Sequence, residues 1–253
     1  MRNNRWFRIF FGVILAVIMV GAAGFLIWAL NPPAIEPEAQ TALESLDTSR
    51  LERGKGLVFS PPEGISRVGL ILYPGGRVQP EAYAPLAEAI ADRGYLTIIP
   101  RMRLNLAVLE IQAADEVLAA YPEVDRWVIG GHSLGGAMAA EYAVDQPENV
   151  QGLVLYAAYP ADSTDLSERD LEVLSIYGTR DGLASMEEVL ASADRLPEDT
   201  VWVEIKGGNH AGFGWYGPQR GDFPATIPKG EQQLQILEAT ADFLSHLGGQ
   251  NGH

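Results

Sequence analysis

The chain has no cysteine anywhere in its 253 residues. That excludes disulfide staples, thiol nucleophiles and thiolate-held zinc, and it leaves the redox compartment open. Histidine is nearly as scarce, at four positions: His132, His210, His246 and His253. An imidazole base therefore has few places to come from. Basic residues are few as well, 18 Lys and Arg against 33 Asp and Glu, and Arg2, Arg5 and Arg8 all precede the first acidic residue, Glu36. Residues 31–253 thus carry 15 basic and 33 acidic side chains, a net charge of −18. Grasping a phosphate backbone needs a basic face, so nucleic acid is not an expected partner, and the charge reads as a solvated surface. No internal repeat or low-complexity tract is present.

One stretch lacks charge altogether. From Ile9 to Leu30 there is no ionisable side chain, and 22 helical residues reach about 33 Å, enough for a bilayer core. Arginines lie on one side of it and Glu36, Glu38, Glu44 and Asp47 on the other. The positive-inside rule then puts residues 1–8 in the cytoplasm and everything after residue 30 outside. Trp6 and Trp28 sit where interfacial aromatics are common. A cleaved signal peptide is the rival reading, but its apolar region is usually shorter and ends at small residues. Here the run closes on Trp28-Ala29-Leu30-Asn31-Pro32-Pro33. The expectation is an uncleaved anchor at 9–30 that holds an exported domain on the cell membrane.

Residues 31–50 open with three prolines in seven residues and read as a spacer leading into a short helix. The chain is 47% hydrophobic, enough for residues 51–248 behind the spacer to bury one large core. Short apolar runs at 55–60, 67–73, 95–100, 124–130, 151–158, 171–177 and 200–205 predict strands. Amphipathic segments at 80–93, 104–121, 134–146, 184–196 and 230–247 predict helices between them. In 104–121 the stripe Leu106, Leu109, Ala113, Val117 has helical spacing. Such alternation with nearly all-apolar strands implies an α/β fold: a mostly parallel sheet covered by helices on both faces. Residues 249–253 read as a frayed tail.

The chemistry-bearing stretch is Gly130-Gly131-His132-Ser133-Leu134-Gly135-Gly136. It follows the strand-like Trp127-Val128-Ile129 and opens an alanine-rich helix, the strand-turn-helix setting of a nucleophile elbow. Ser133 needs a base, and the base needs an orienting acid. His132 lies inside the elbow, while His246 and His253 lie at the chain's end. That leaves His210, in Gly207-Gly208-Asn209-His210-Ala211, at the carboxyl end of a predicted strand, where α/β active sites form. Asp181, in Tyr177-Gly178-Thr179-Arg180-Asp181-Gly182, supplies the acid, with Asp162 in reserve. The oxyanion hole draws one N–H from Leu134. The other comes from Pro74-Gly75-Gly76-Arg77, with Gly76 first and Arg77 second.

Over residues 55–247 the chain resembles the α/β-hydrolase superfamily, in particular the α/β-hydrolase fold-5 group related to dienelactone-hydrolase-like enzymes. The resemblance is carried by residues 73–76, 130–136, 177–182 and 207–217. It implies Ser133 as nucleophile, Asp181 as orienter and His210 as base, with Leu134 and Gly76 as oxyanion donors. Dienelactone hydrolases proper use a cysteine, which this chain lacks, and Pro74 stands where lipases often carry a histidine.

About a dozen residues separate the strand ending near Ala158 from the one starting at Leu171. No helical lid fits there, so the expected cleft is open. Tyr159, Phe213, Trp215 and Tyr216 are expected as its walls, with Arg77 and Arg101 at strand ends to take an anionic group. Gln219 and Asp222 are expected to brace the histidine loop. The resulting expectation is a membrane-anchored serine hydrolase acting on a small acyl substrate, with no metal or organic cofactor implied. An acyltransferase or thioesterase on envelope lipids, and a catalytically silent binding module, are the alternatives.

Overall fold

A computed structural model describes residues 3–45, 56–62, 64, 67–145, 148 and 150–249. The expected linker's last residues (46–50), the start of the domain (51–55) and the tail residues 250–253 lie outside the described residues. Seven strands form one sheet in the order β1-β3-β2-β4-β5-β6-β7. They are β1 (Gly56–Phe59), β2 (Val68–Tyr73), β3 (Leu96–Pro100), β4 (Arg126–His132), β5 (Gly152–Tyr156), β6 (Glu172–Gly178) and β7 (Val201–Ile205). β1 is antiparallel to β3 and every other pair is parallel. All seven match predicted runs to within a few residues. The reason is burial: β2, β3 and β5 are buried along their whole length, and strands buried on both faces must be continuously apolar.

Helices cover both faces. α3 (Ala84–Asp92) and α7 (Lys229–Gly249) close one side, where Leu70, Leu72, Ile90, Ile236 and Leu244 meet. α4 (Ala113–Ala120) and α5 (Leu134–Asp145) close the other, over Ile71, Ile98, Ile129, Leu153 and Leu155. α6 (Met186–Ala191) starts with a capping box in which Ser185 and Glu188 exchange hydrogen bonds. The spacer carries α2 (Pro37–Ser45). Ahead of it α1 runs from Asn3 to Leu30, and its stretch Trp6–Leu30 is long and apolar enough to cross a membrane, with mean hydropathy 2.7.

The predicted helix over 104–121 forms only in its second half. Leu104 and Asn105 both adopt φ of 55°, which no right-handed helix tolerates, and a kinked turn at Arg103–Asn105 and a single turn of 3₁₀ helix at Ala107–Leu109 replace it. Long-range contacts decide this. The Asn105 carbonyl accepts the Arg77 N–H at 2.7 Å. The Tyr73 hydroxyl donates to the Ile111 carbonyl at 2.6 Å and accepts the Ala114 N–H at 2.9 Å, starting α4 there. Leu109 consequently points to solvent, 44% exposed, and the stripe is not one face.

β2 is followed in the chain by β3 on one side, and the next strand, β4, returns to its other side. The crevice between the carboxyl ends of β2 and β4 is therefore the topological switch point, the place where α/β sheets bind ligands.

Candidate active site

Ser133 stands at that crevice, directly after β4 and before α5. Its φ is 53°, a left-handed conformation that costs a non-glycine residue roughly 1–3 kcal/mol. Two hydrogen bonds hold it there: Ser133 N–H to the Tyr156 carbonyl at 2.9 Å and Ala137 N–H to the Ser133 carbonyl at 3.1 Å. The flanking glycines make the turn sterically possible. A Cβ on Gly135 would collide with the carbonyl oxygens of Tyr73 and Pro74, and one on Gly131 with the Gly135 carbonyl. The partial positive end of α5 sits beneath the serine.

The expected acid and base come from the loops after β6 and β7. His210 Nδ1 lies 2.8 Å from Asp181 Oδ2, and both side chains are buried. The other carboxylate oxygen of Asp181 accepts the N–H groups of Leu183 (2.8 Å) and Ala184 (2.7 Å), which fixes its orientation. With Nδ1–H donated to the carboxylate, the His210 lone pair is on Nε2, and that buried atom has no hydrogen-bond partner among the described residues. The link to Ser133 Oγ is thus open in this structure, as is common before substrate arrives. Asp162, the reserve acid, is not brought to the histidine; it pairs with Arg195 at 3.1 Å on the surface.

Asp222 braces the histidine loop as expected. Its carboxylate accepts the N–H groups of Ala211 (2.9 Å), His210 (3.2 Å) and Gly182 (3.2 Å), joining the base's loop to the acid's. Gln219 accepts from the Tyr216 hydroxyl at 3.1 Å. From the opposite side, α7 sends the buried Gln232 to both backbone groups of Asn209, at 3.1 and 2.8 Å, and Gln233 to the Gly212 carbonyl at 2.7 Å. The two glutamines had no sequence signal beyond being polar on an inward helix face.

Gly76 and Leu134 lie side by side: a Cβ at Gly76 would come 3.2 Å from Leu134 Cδ2. Among the described residues no hydrogen bond takes up either N–H. Arg77, the second choice, is not free to donate, because its N–H is already given to the Asn105 carbonyl.

The expected substrate contacts fare less well. Phe213 and Tyr216 are fully buried. They pack on the His132 ring with centroids 5.7 and 6.2 Å away, so they support the site and do not wall it. Burial also drives the Tyr216 hydroxyl well above the ordinary phenol range. Trp215 is half-buried, and its carbonyl accepts the Glu36 N–H at 2.9 Å. Arg101 is paired with Glu81 at 2.7 Å. The Arg77 guanidinium donates to the carbonyls of Trp28 (2.9 Å) and Asn31 (2.6 Å) and stacks on the Trp28 ring. Both guanidiniums are thus engaged by acceptors of the chain itself. Tyr159 remains half-buried after β5; desolvation, reinforced by Glu188, raises its pKa. No helix forms between β5 and β6, so a helical lid is absent among the described residues there.

His132 has a role that sequence did not indicate. The buried Tyr83 hydroxyl accepts the Gly75 N–H at 3.0 Å and lies 2.8 Å from His132 Nδ1. Its single proton must then go to Nδ1, which puts the imidazole proton on Nε2. Nε2 is buried and unpartnered, with the His210 ring centroid 4.5 Å away. Burial, and then repulsion from charge on His210, hold His132 well below the usual histidine range; the His210 backbone acts weakly the other way. A neutral His132 therefore links the Gly75 loop, through Tyr83, to the His210 ring.

A model of the alpha/beta hydrolase family matches residues 69–234, more than half of the chain. The chain belongs to this family. Solved structures with the same fold include the esterase domain of a Rhodothermus marinus protein, at 14% identity and TM-score 0.56, covering 76% of this chain and 92% of that one. Esterase 2 of Thermogutta terrifontis is 17% identical with TM-score 0.58, covering 78% and 91%. That esterase has also been seen phosphonylated by sarin. A predicted CIB-like hydrolase from Thermoplasma acidophilum is 17% identical with TM-score 0.54, covering 71% and 87%. No curated protein matches the chain. At these identities the solved structures speak for the fold, which is the α/β-hydrolase fold.

Proposed function

We propose that this member of the alpha/beta hydrolase family is a serine hydrolase of small esters or related acyl compounds, anchored in the cell membrane by α1. The observation that carries the reading is the buried Asp181–His210 pair at 2.8 Å, with the lone-pair nitrogen of His210 unpartnered beside the strained Ser133 turn. In this mechanism His210 Nε2 takes the Ser133 proton as Oγ attacks the acyl carbon. The oxyanion forms against the N–H groups of Leu134 and Gly76. The same proton then passes to the departing alkoxide, leaving an acyl-serine and a free alcohol. Water, deprotonated by His210, attacks the acyl-serine; Ser133 recovers its proton and the carboxylic acid leaves. Each residue here is this chain's own, and the steps need no cofactor.

The esterases among the structural neighbours support the reaction class. The arginines before α1 and the acidic residues after it support an N-terminus in the cytoplasm and a catalytic domain outside. An uncleaved α1 is supported by the contacts its end makes with the domain: Ala29 is buried, and Arg77 holds the carbonyls on either side of it.

The test is turnover of a panel of p-nitrophenyl esters by the full chain in detergent, beside Ser133→Ala. Removal of a triad serine costs on the order of 10⁶-fold in kcat. Activity that survives the substitution, or a native protein that neither turns over any ester nor reacts at Ser133 with a fluorophosphonate, overturns the proposal.

A further inference from the structure

The segment that leaves α1 does not hang free; it is sewn across the carboxyl edge of the sheet. Arg77, next to Gly76, holds the carbonyls of Trp28 and Asn31. Gln79 donates to the Pro33 carbonyl at 3.2 Å, and the Gly217 N–H to the Ala34 carbonyl at 3.3 Å. Ile35 bridges to Tyr216, and Lys229 pairs with Glu36 at 2.8 Å. The end of the span is therefore fastened to the loop that carries Gly76 and to the loop that carries His210. A domain tied in this way has little freedom to turn that edge from the membrane. A free spacer from Leu30 onward would have allowed any orientation.

The surface of the same edge is suited to a bilayer. Val108 and Leu109 are 48% and 44% exposed, just after the turn that packs on the end of α1. Leu183 and Met186, following Asp181, are also exposed. Phe223 is exposed in the histidine loop, with the Arg180 guanidinium 5.6 Å over its ring. Apolar tips beside arginines are the pattern of side chains that enter an interface while their charges stay at the headgroups. The loops at the amino edge instead present Glu123, Asp125, Glu148, Glu168 and Asp170, all exposed.

We infer that the carboxyl edge of the sheet, with Ser133 in it, lies against the bilayer that holds α1, and that the ester it takes is borne by a membrane amphiphile. This rests on the reading above of α1 as an anchor and of Ser133 as a nucleophile. It makes the membrane surface, in place of a protein lid, the wall that closes the open cleft. An ester reaching Ser133 along the surface arrives with its tail still in the leaflet.

The absence of cysteine makes the test clean. Val108→Cys, Leu109→Cys, Phe223→Cys and, at the amino edge, Glu123→Cys each place one thiol for an environment-sensitive fluorophore on the full chain in nanodiscs. Phospholipids brominated near the headgroup then report proximity. The expected result is loss of fluorescence at 108, 109 and 223, with 123 unquenched. Labels at 108, 109 and 223 as bright as that at 123 overturn the docking, whatever the activity. The same discs, carrying a fluorogenic phospholipid ester, test the substrate class against soluble p-nitrophenyl butyrate. Quenching with turnover of the disc-borne ester supports both parts. Turnover of the butyrate alone overturns the amphiphile. Turnover of neither, with quenching intact, overturns the hydrolase reading and leaves the docked surface standing.

Discussion

Tyr83→Phe isolates a single oxygen at the junction of the Gly75–Gly76 loop and the His132 ring. That oxygen accepts the Gly75 N–H at 3.0 Å and faces His132 Nδ1 at 2.8 Å, in a fully buried position. Phenylalanine fills nearly the same volume, so little cavity is created. What remains is a buried N–H without an acceptor and a buried imidazole nitrogen without a donor. Each such orphan costs about 1–3 kcal/mol, so the variant should lose about 2–6 kcal/mol of stability. For a domain of this size, about 2–4 °C accompanies each kcal/mol, which predicts a Tm lower by about 4–24 °C. The catalytic effect follows from Gly75 preceding Gly76. Deleting an oxyanion donor outright costs about 10²–10³ in kcat. Loosening its loop should cost less, about tenfold, with KM for a soluble ester little changed. Thermal unfolding in detergent and steady-state turnover of p-nitrophenyl butyrate read the two quantities. A variant with wild-type Tm and wild-type kcat refutes the bridging role of Tyr83. A lowered Tm with unchanged kcat refutes its link to the oxyanion loop.

Asp181→Asn should keep the fold, because an amide oxygen can still accept from Leu183 and Ala184, but lower kcat by about 10⁴ by favouring the wrong His210 tautomer; ester turnover checks it. Gly135→Ala should give no folded protein, since the new methyl meets two backbone carbonyls of the neighbouring loop and backbone cannot rotate away as a side chain can; soluble yield and Tm read this. His132 makes the fold acid-sensitive. Its folded pKa lies well below 6.5, so below about pH 6.5 the unfolded chain binds a proton that the folded one does not. Stability should fall by up to about 1.4 kcal/mol per pH unit as pH drops from there. His132→Phe should flatten that slope in unfolding midpoints measured from pH 7 to 5, and an unchanged slope counts against it.

What sequence revealed and what it hid divide along one physical line: local information against contacts closed across the fold. The seven strands were legible because a strand buried on both faces must be apolar throughout, and Leu70-Ile71-Leu72 or Leu153-Val154-Leu155 can be little else. The pairing of Asp181 with His210 was legible because each lies just past a strand end. The helix over 104–121 misled because Leu104, a good helix former, carries no local sign of a left-handed conformation; only Asn105 is of a type that adopts one readily. Their conformation is imposed by Arg77 and Tyr73, two partners on β2 and its loop. Tyr83 and His132 are 49 residues apart, and so are Arg77 and Trp28; no spacing rule reaches that far. The same limit explains the misread aromatics. Phe213 and Tyr216 follow His210 in the chain, and proximity in sequence suggested walls of a cleft. The loop in fact turns them inward, because His132 offers a buried ring to pack on and the open cleft offers only water. Arg77 shows the consequence for function. Its position at a strand end was legible and its charge suggested an anionic ligand, yet its ligands are the carbonyls at the end of α1. An arginine read as a substrate clamp thus fastens the loop after β2 to the end of α1.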